Sequence, residues 1–290
     1  MADLKIGVMA DSFRLETRRA LRKASEVGAE GVQIYAVQGE FTPERLSDRE
    51  IADYRGLMRA EGLKLSALCG DLGGHGFTDP AQVPETIERS RRIAHLCAEL
   101  GGNVITTHIG VVPSDPKHPR YAVMQDACEQ LARAAAAEEC RFAIETGPEP
   151  PEVLRDFLDG LSTPGVGVNY DPANLVMVTN SDPIKGVHTL GKYIYHTHAK
   201  DGLHLKDVDP EILYGQWFAE GGIGDERLED YFLETPLGQG KVDFDAWIAA
   251  LREEGYNGFL TIEREVGDDP VTDITMAVCY LRSKIKKKKA

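Results

Sequence analysis

The sequence predicts an α/β protein built as a single (β/α)₈ TIM barrel over residues 1–290. Three observations support this fold class. Eight short apolar runs alternate with eight amphipathic helical stretches from one end of the chain to the other. No Pro/Ser-rich linker or shift in composition divides the chain into two domains. Eight such units in 290 residues favour a closed barrel, with parallel strands inside and helices outside, over an open doubly wound sheet.

The individual elements follow from periodicity and from capping residues. The predicted strands span 4–9, 31–36, 64–69, 103–108, 141–145, 165–171, 193–199 and 258–263. The predicted helices span 17–27, 48–61, 84–100, 121–138, 151–161, 183–190, 244–254 and 270–284. Gly28, Gly62, Gly101 and Gly255 stand just past predicted helix ends, where a left-handed backbone is needed. Many of the boundaries are therefore indicated twice.

One segment, residues 202–240, interrupts the alternation after the seventh strand. It contains a glycine-rich run, 221–224, and several aromatic residues, namely Tyr214, Trp217, Phe218, Tyr231 and Phe232. Long loops are usually functional or disordered, and this one is too aromatic for disorder to be preferred. A loop that follows a barrel strand lies on the catalytic face. We interpret the segment as a lid or a subunit contact, with a surface excursion of no function as the alternative.

Composition and charge narrow the classes of function. The formal net charge of −14 disfavours nucleic acid as a partner, because such affinity comes largely from Lys and Arg neutralising phosphates. No apolar run approaches the roughly 18 to 20 residues that span a bilayer, and the first residues do not resemble an export signal. The five cysteines lack CxxC spacing, and their odd number argues against a complete disulfide framework. We expect a cytoplasmic protein with no membrane partner.

Four of the apolar runs in the second half of the chain end in residues that bind metals. These residues are Glu145, Asp171, His198 and Glu263. Because the carboxyl ends of parallel strands lie on the same rim of a barrel, the four side chains are expected to converge. Three carboxylates and one imidazole suit a single divalent metal, with Mn²⁺ preferred and Mg²⁺, Co²⁺ or Zn²⁺ as alternatives.

Each of these residues also has an ordinary structural interpretation. A carboxylate at the end of a strand often caps the following helix or pairs with an arginine, and Asp171, followed by Pro172, fits a turn. Such structural roles explain one of these residues readily, but they are less able to explain why all four strands end in a metal-binding residue. A cluster of carboxylates without a cation costs several kcal/mol through repulsion, and a bound metal removes that cost.

The chain resembles the sugar isomerase, epimerase and related lyase family that has the xylose-isomerase-like barrel. The resemblance covers essentially the whole chain, and its motifs are Ile144-Glu145, Tyr170-Asp171-Pro172-Ala173-Asn174, His196-Thr197-His198-Ala199-Lys200-Asp201, 238–244 and 255–263. In such enzymes a Glu, an Asp, a His and a Glu hold one divalent metal. The resemblance implies that Glu145 and Glu263 are also catalytic, passing protons to and from carbons beside a carbonyl on opposite faces of the sugar.

Further residues are expected to surround the substrate. His108 closes the fourth strand, and Lys200 shares the face of His198, so both are predicted to bind substrate, with packing under a loop as the alternative for His108. His196 points the same way one layer deeper, where support of the site residues and packing as a core histidine are the alternatives to substrate binding. Asn174 stands where some ketose 3-epimerases carry a histidine, and we expect it to contact substrate, although the difference disfavours a free ketohexose.

Arg264 and Asp201 are given structural interpretations. Strand alternation turns Arg264 away from Glu263, which predicts a salt bridge behind the barrel. Asp201 either orients Lys200 or caps a turn.

These expectations favour a metal-dependent isomerase or epimerase of a sugar, keto-sugar or polyol derivative, working through an enediolate. A dehydratase or lyase on a keto-cyclitol or keto-sugar is the alternative, because the same proton removal permits loss of a β-hydroxyl. Two remote alternatives are a metal-dependent abasic-site endonuclease, which the acidic balance disfavours, and a non-catalytic binding subunit. The expected partner is a small carbohydrate, and the aromatic 202–240 segment is compatible with a homo-oligomer.

Overall fold

The computed structural model describes residues 4–73, 76–217 and 227–286 and shows a closed barrel of eight parallel strands. The barrel strands are β1 (Lys5–Met9), β2 (Gly31–Tyr35), β3 (Lys64–Cys69), β4 (Val104–Thr107), β5 (Arg141–Glu145), β6 (Val166–Tyr170), β7 (Ile194–Ala199) and β10 (Phe259–Ile262). Two further strands, β8 (Asp201–His204) and β9 (Phe232–Thr235), form a separate antiparallel pair. The predicted fold class is confirmed.

Helices connect consecutive barrel strands on the outside. In the described residues these helices are α1 (Thr17–Val27), α2 (Asp48–Ala60), α3 (Val83–Glu99), α4 (Pro119–Ala137), α5 (Pro151–Asp159), α6 (Pro172–Met177), α7 (Pro183–Leu190), α8 (Phe244–Glu253) and α9 (Pro270–Ile285). The eight predicted helices and eight predicted strands agree with these bounds to within two residues. The ends are defined by local chemistry: Ser47 and Glu50 form a reciprocal capping box at α2, and Gly28 ends α1 with φ 89°.

The short helix α6 was not predicted. It begins directly after β6, at Pro172, and its first turn is capped by Asp171. A helix of six residues is too short to show periodicity in the sequence, whereas its capping residue and the following proline are both typical helix-start signals. The helix places Asn174 beside the carboxyl end of β6.

The strand order around the barrel is β1-β10-β7-β6-β5-β4-β3-β2. The four strands that carry the predicted metal ligands, β5, β6, β7 and β10, are therefore consecutive neighbours. Their register aligns Glu145 with Asn169 and His198 with Thr261. This alignment brings the polar ends of the four strands to one rim, as parallel pairing requires.

The main hydrophobic core lies between the strands and the helices. It includes large, fully buried side chains such as Trp247, Phe142 and Phe157. The interior of the barrel differs, because Gln33, Asn169 and other polar side chains are fully buried there. Buried polar groups are stable only with hydrogen-bond partners, so this interior layer must be a connected network.

The described parts of the 202–240 segment, 202–217 and 227–240, contain secondary structure that the sequence did not predict. Strands β8 and β9 pair antiparallel, with Asp201 opposite Thr235, and this pairing was missed because each strand has only four residues. Asp201 fixes the return of the segment to the barrel, since its carboxylate accepts hydrogen bonds from the backbone N–H groups of Gly202, Gly238, Gly240 and Val242. Asp201 thus caps a turn. Among the described residues its carboxylate forms no hydrogen bond with Lys200.

Part of the predicted lid, including Phe218 and the 221–224 glycine run, lies outside the described residues. In the described part of the chain no helix has both the length and the apolar character needed to cross a bilayer.

Candidate metal centre

The four strand-end residues Glu145, Asp171, His198 and Glu263 meet at one buried point. One ligand atom from each lies within 4.8 Å of the corresponding atoms of the other three. His198 Nδ1 lies 3.3 Å from Glu263 Oε2, 3.4 Å from Glu145 Oε1 and 3.7 Å from Asp171 Oδ2. Three carboxylate oxygens and one imidazole nitrogen of this kind could bind a divalent metal.

Asp171 shows how one carboxylate serves two purposes. Its Oδ1 accepts hydrogen bonds from the backbone N–H groups of Ala173 and Asn174, at 2.7 and 3.0 Å, and so caps α6. Its Oδ2 is buried and has no hydrogen-bond partner among the described residues. A buried oxygen without a partner is costly unless a cation occupies the space beside it. Helix capping and metal binding, which the sequence left as alternatives, therefore involve different oxygens of the same side chain.

The charges of the cluster require a positive charge at its centre. Burial alone would lower the pKa of His198, but the charges of Glu263 and Glu145 outweigh burial and raise that pKa well above its ordinary value. Burial would raise the pKa of Glu263, but His198 and Lys200 outweigh it and lower that pKa. In the metal-free protein a protonated His198 supplies the positive charge. A divalent cation fits the same position and would displace that proton.

Two amide side chains hold Glu145 in place. Asn169 Nδ2 donates to Glu145 Oε2 at 3.1 Å, and Asn174 Nδ2 donates to Glu145 Oε1 at 3.0 Å. Asn174 was predicted to bind substrate, and in the structure its amide already contacts this glutamate. Neutral donors of this kind fix the orientation of a carboxylate without placing a second charge beside it.

Gln33, which the sequence did not indicate as a site residue, orients the histidine ligand. His198 Nε2 lies 3.0 Å from Gln33 Oε1, and Gln33 Nε2 donates to Thr106 Oγ1 at 2.8 Å. Because the amide oxygen only accepts, the Nε2–H of His198 donates to Gln33. Nδ1, which is also protonated in the metal-free protein, faces the three carboxylates and would become a ligand atom once a cation displaces its proton. Gln33 is the single polar side chain in the apolar strand β2, and that isolation was the available signal.

His196 lies one layer below the centre. Its Nδ1 is 2.8 Å from Asn169 Oδ1, and its Nε2 is 3.0 Å from Thr261 Oγ1. Burial lowers the pKa of His196 well below its ordinary value, so its ring is neutral. With both ring nitrogens in hydrogen bonds inside the barrel, His196 supports Asn169, and its predicted role in substrate binding has no support from these contacts.

Lys200 lies beside the centre and is surrounded by carboxylates. Its Nζ is 3.1 Å from Glu263 Oε2 and 3.7 Å from Glu234 Oε2, and it also contacts Glu265. Arg264, in contrast, points behind the barrel, where it contacts Glu234 at 2.6 Å and Asp273 at 2.8 Å. The alternation of side chains along the strand placed Arg264 correctly.

His108 follows β4 directly and forms a pair with Asp71. His108 Nδ1 lies 2.9 Å from Asp71 Oδ2. Burial would lower the pKa of His108, but the charges of Glu145 and Asp71 outweigh it and raise the pKa to about 9. The ring of Tyr214, from the 202–240 segment, lies 5.8 Å from the His108 ring. A protonated histidine therefore lies close enough to the site for Glu145 to affect its charge.

Glu149 is a further buried carboxylate that sequence reasoning missed. It lies on the loop after β5, and its Oε2 accepts a hydrogen bond from Val112 N–H at 3.1 Å. Burial raises the pKa of Glu149 to about 8, although this hydrogen bond and the charge of His108 lower it. Its surroundings, 146–151, contain three prolines and no periodic pattern, so the sequence held no signal that this glutamate is buried.

Comparison with known proteins agrees with this architecture. Residues 21–283 match the family model of the xylose isomerase-like TIM barrel. A xylose isomerase domain protein from Planctomyces limnophilus superposes with a TM-score of 0.80 at 24% identity, covering 98% of each chain. A probable 3-DHS dehydratase of petrobactin synthesis from Bacillus anthracis superposes with a TM-score of 0.75 at 18% identity, covering 96% of this chain and 99% of that one.

A third solved structure, a D-allulose 3-epimerase from Methylomonas sp., has a TM-score of 0.71 at 19% identity and covers 98% of this chain and 99% of its own. At these identities the likeness concerns the fold. No curated protein sequence matches the chain at a significant level. The family model covers most of the chain and requires the closed barrel that the structure shows, and so the protein belongs to the xylose isomerase-like TIM barrel family.

Proposed function

We propose that the protein is a divalent-metal-dependent isomerase or epimerase acting on an uncharged sugar, keto-sugar or polyol derivative. The observation that carries the proposal is the pair of buried glutamates, Glu145 and Glu263, whose oxygens approach one centre from β5 and β10. Strands β6 and β7 separate these two strands, so the carboxylates enter from different sides of the rim. Two carboxylates on different sides of a substrate suit removal of a proton by one and delivery by the other.

The bound metal, with Mn²⁺ preferred, would supply a Lewis acid that stabilises negative charge on substrate oxygens next to the reacting carbon. Glu145, Asp171, His198 and Glu263 would hold it. The two glutamates differ in their surroundings. Lys200 and His198 favour the ionised form of Glu263, as a base requires.

Among the described residues no lysine or arginine pairs with Glu145, which receives hydrogen bonds from two neutral amides, Asn169 and Asn174. We propose that Glu263 removes the proton beside the carbonyl and that Glu145, having taken up a proton from solvent, delivers that proton on the other side. Each glutamate exchanges its proton with solvent between turnovers, and the roles are exchanged in the reverse reaction.

Relatives with the same fold support the class of reaction. The solved structures that resemble this chain include a D-allulose 3-epimerase and a 3-keto-D-glucoside 4-epimerase. Both names describe inversion of a carbon in a sugar, which is the chemistry that two opposed glutamates suit. Fold likeness alone does not assign a reaction, so the proposal rests on the site geometry.

The charges around the site favour a substrate without a phosphate or carboxylate. Two basic side chains near the glutamates already contact other carboxylates: Lys200 contacts Glu265, and His108 contacts Asp71. An anionic substrate would have to displace one of these pairs or remain unpaired, and both are costly.

Dehydration is the second candidate, and His108 is the observation that favours it. A histidine whose pKa is about 9 is protonated at neutral pH and could donate a proton to a leaving hydroxyl. The same proton removal by Glu263 would then end in loss of water. The fold likeness to a probable 3-DHS dehydratase is compatible with this outcome.

The test is proton exchange with solvent. The Mn²⁺-loaded protein would be incubated in D₂O with a panel of ketoses, keto-glycosides and inososes, and ¹H NMR would follow the C–H signals beside the carbonyl. Isomerisation or epimerisation incorporates deuterium without loss of water, whereas dehydration yields a product with one water fewer. Glu145→Gln and Glu263→Gln should each abolish the reaction, and Glu99→Gln, an exposed carboxylate on α3, serves as the matched control.

Full turnover by both glutamine variants on a substrate that the wild type converts would refute the acid and base assignments. Turnover by the wild type after exhaustive chelation, with no metal present by elemental analysis, would refute the metal dependence.

A further inference from the structure

Glu234 links the inserted β8–β9 pair to the metal centre. It lies on β9 with a buried side chain, whereas its neighbour Leu233 is exposed. Glu234 Oε1 accepts a hydrogen bond from Arg264 Nη1 at 2.6 Å, and it also accepts one from the backbone N–H of Glu265 at 3.2 Å. The carboxylate of the insertion therefore reaches into the barrel rim directly behind Glu263.

Lys200 connects Glu234 to the ligand atoms. Its Nζ lies 3.7 Å from Glu234 Oε2 and donates to Glu263 Oε2 at 3.1 Å. That Glu263 oxygen is the same one that faces His198 Nδ1 at 3.3 Å. The lysine thus donates to an oxygen that points at the centre of the cluster.

A buried ammonium group at this position would oppose binding of a dication, because like charges repel strongly where water is excluded. Two carboxylates, Glu234 and Glu265, balance the lysine. They are not equivalent, since the Glu265 side chain is 57% exposed and that of Glu234 is 5% exposed. Solvent screens the charge of an exposed carboxylate, whereas a buried one acts at nearly full strength. Glu234 is therefore the buried counter-charge of Lys200, and its other oxygen pairs with Arg264.

We infer that Glu234 is a positioning residue of the metal centre: it holds and neutralises Lys200 so that Glu263 Oε2 remains available to a divalent cation. The inference rests on the proposed metal dependence. It makes the 202–240 insertion part of the site, since Asp201 fastens the insertion to the barrel and Glu234 supplies its charge. Without Glu234 the only remaining counter-charge of Lys200 among its described contacts, besides the ligand Glu263, is the exposed Glu265.

The test measures Mn²⁺ affinity and needs no substrate. Free Mn²⁺ would be followed by electron paramagnetic resonance in titrations of the metal-free wild type, Glu234→Gln, Lys200→Met and the double variant. Glu234→Gln should weaken Mn²⁺ binding by about tenfold or more, as loss of a residue that supports a metal ligand typically does. Lys200→Met alone should bind Mn²⁺ at least as tightly as the wild type, and the double variant should regain affinity to within about threefold.

Glu229→Gln, which removes an exposed carboxylate from the same insertion, is the matched control and should leave affinity unchanged. Wild-type affinity in Glu234→Gln overturns the inference while leaving the metal site intact. Weak binding that Lys200→Met fails to restore shows that Glu234 acts through packing, which also overturns it. If Glu234→Gln does not fold, the Lys200→Met variant decides: weaker Mn²⁺ binding by Lys200→Met than by the wild type would also overturn the inference. Absence of Mn²⁺ binding by the wild type refutes the proposed metal dependence itself, and the inference with it.

Discussion

Replacement of Gln33 by leucine tests how the histidine ligand is oriented. Gln33 Oε1 accepts a hydrogen bond from His198 Nε2 at 3.0 Å, and Gln33 Nε2 donates one to Thr106 Oγ1 at 2.8 Å. Leucine has a similar size but no polar atoms, so Gln33→Leu removes both hydrogen bonds with little change in packed volume. His198 would then lose the partner that keeps Nδ1 free to bind a metal.

The magnitude follows from these two contacts. Loss of a residue that orients a metal-bound histidine typically costs 10- to 100-fold in metal affinity, or about 1.4 to 2.7 kcal/mol. The metal-free protein should also become less stable by about 1 to 3 kcal/mol, because the buried His198 N–H is left without an acceptor. Both effects should appear together, since they have one structural cause.

Titration with Mn²⁺ measures the first effect, and denaturant unfolding of the metal-free protein measures the second. Gln38→Leu, an exposed glutamine shortly after the same strand, is the matched control and should change neither quantity. Unchanged Mn²⁺ affinity in a correctly folded Gln33→Leu protein would show that Nδ1 of His198 is not the ligand atom, and the assignment of the centre would have to be revised.

Three further predictions concern residues near His108. Burial raises the pKa of Glu149 to about 8, so the metal-free protein should lose stability as pH rises from about 4.5 to 8, and Glu149→Gln should reduce that loss in thermal melts at pH 5 and 9. Asp71→Asn should lower the pKa of His108 from about 9, as measured by NMR of the imidazole C–H. In the wild type the pair stabilises the folded protein fully below pH 6.5, and this stabilisation is lost as pH rises through 9. Asp71→Asn should reduce that contribution. Tyr214→Ala should raise KM for an identified substrate without weakening Mn²⁺ binding, because its ring lies beside His108. A variant in which substrate affinity and Mn²⁺ affinity fall equally would contradict this prediction.

The sequence predicted those site residues that are positioned by a repeated rule. Each parallel strand delivers its last side chain to the same rim, so Glu145, Asp171, His198 and Glu263 could be placed together without coordinates. The residues that hold these ligands obey no such rule. Gln33 meets His198 from a strand 165 residues away in the chain, and only closure of the barrel brings the two into contact.

For His196 and Asn174 the sequence predicted the position and not the contacts. Their positions near the centre were predicted, but alternation along a strand does not say what a side chain will touch. In the structure both support other site residues, His196 through Asn169 and Asn174 through Glu145. A hydrogen bond forms only over a narrow range of donor–acceptor distance, so shifts of a few tenths of an ångström between elements decide which groups pair. The spacing of residues along the chain does not encode such shifts.

The sequence by itself determined the barrel, the bounds of its eight strands and of eight helices to within two residues, and the rim that carries the metal-binding side chains. Periodicity, capping and strand direction are local properties, whereas the short elements α6, β8 and β9 escaped them. Tertiary structure alone decided which oxygen of Asp171 caps a helix and which faces the centre, and how Glu234 of the insertion reaches Lys200. The physical reason is that hydrogen bonds and charge interactions act through space over a few ångströms. They therefore depend on contacts between segments that only the folded chain brings together.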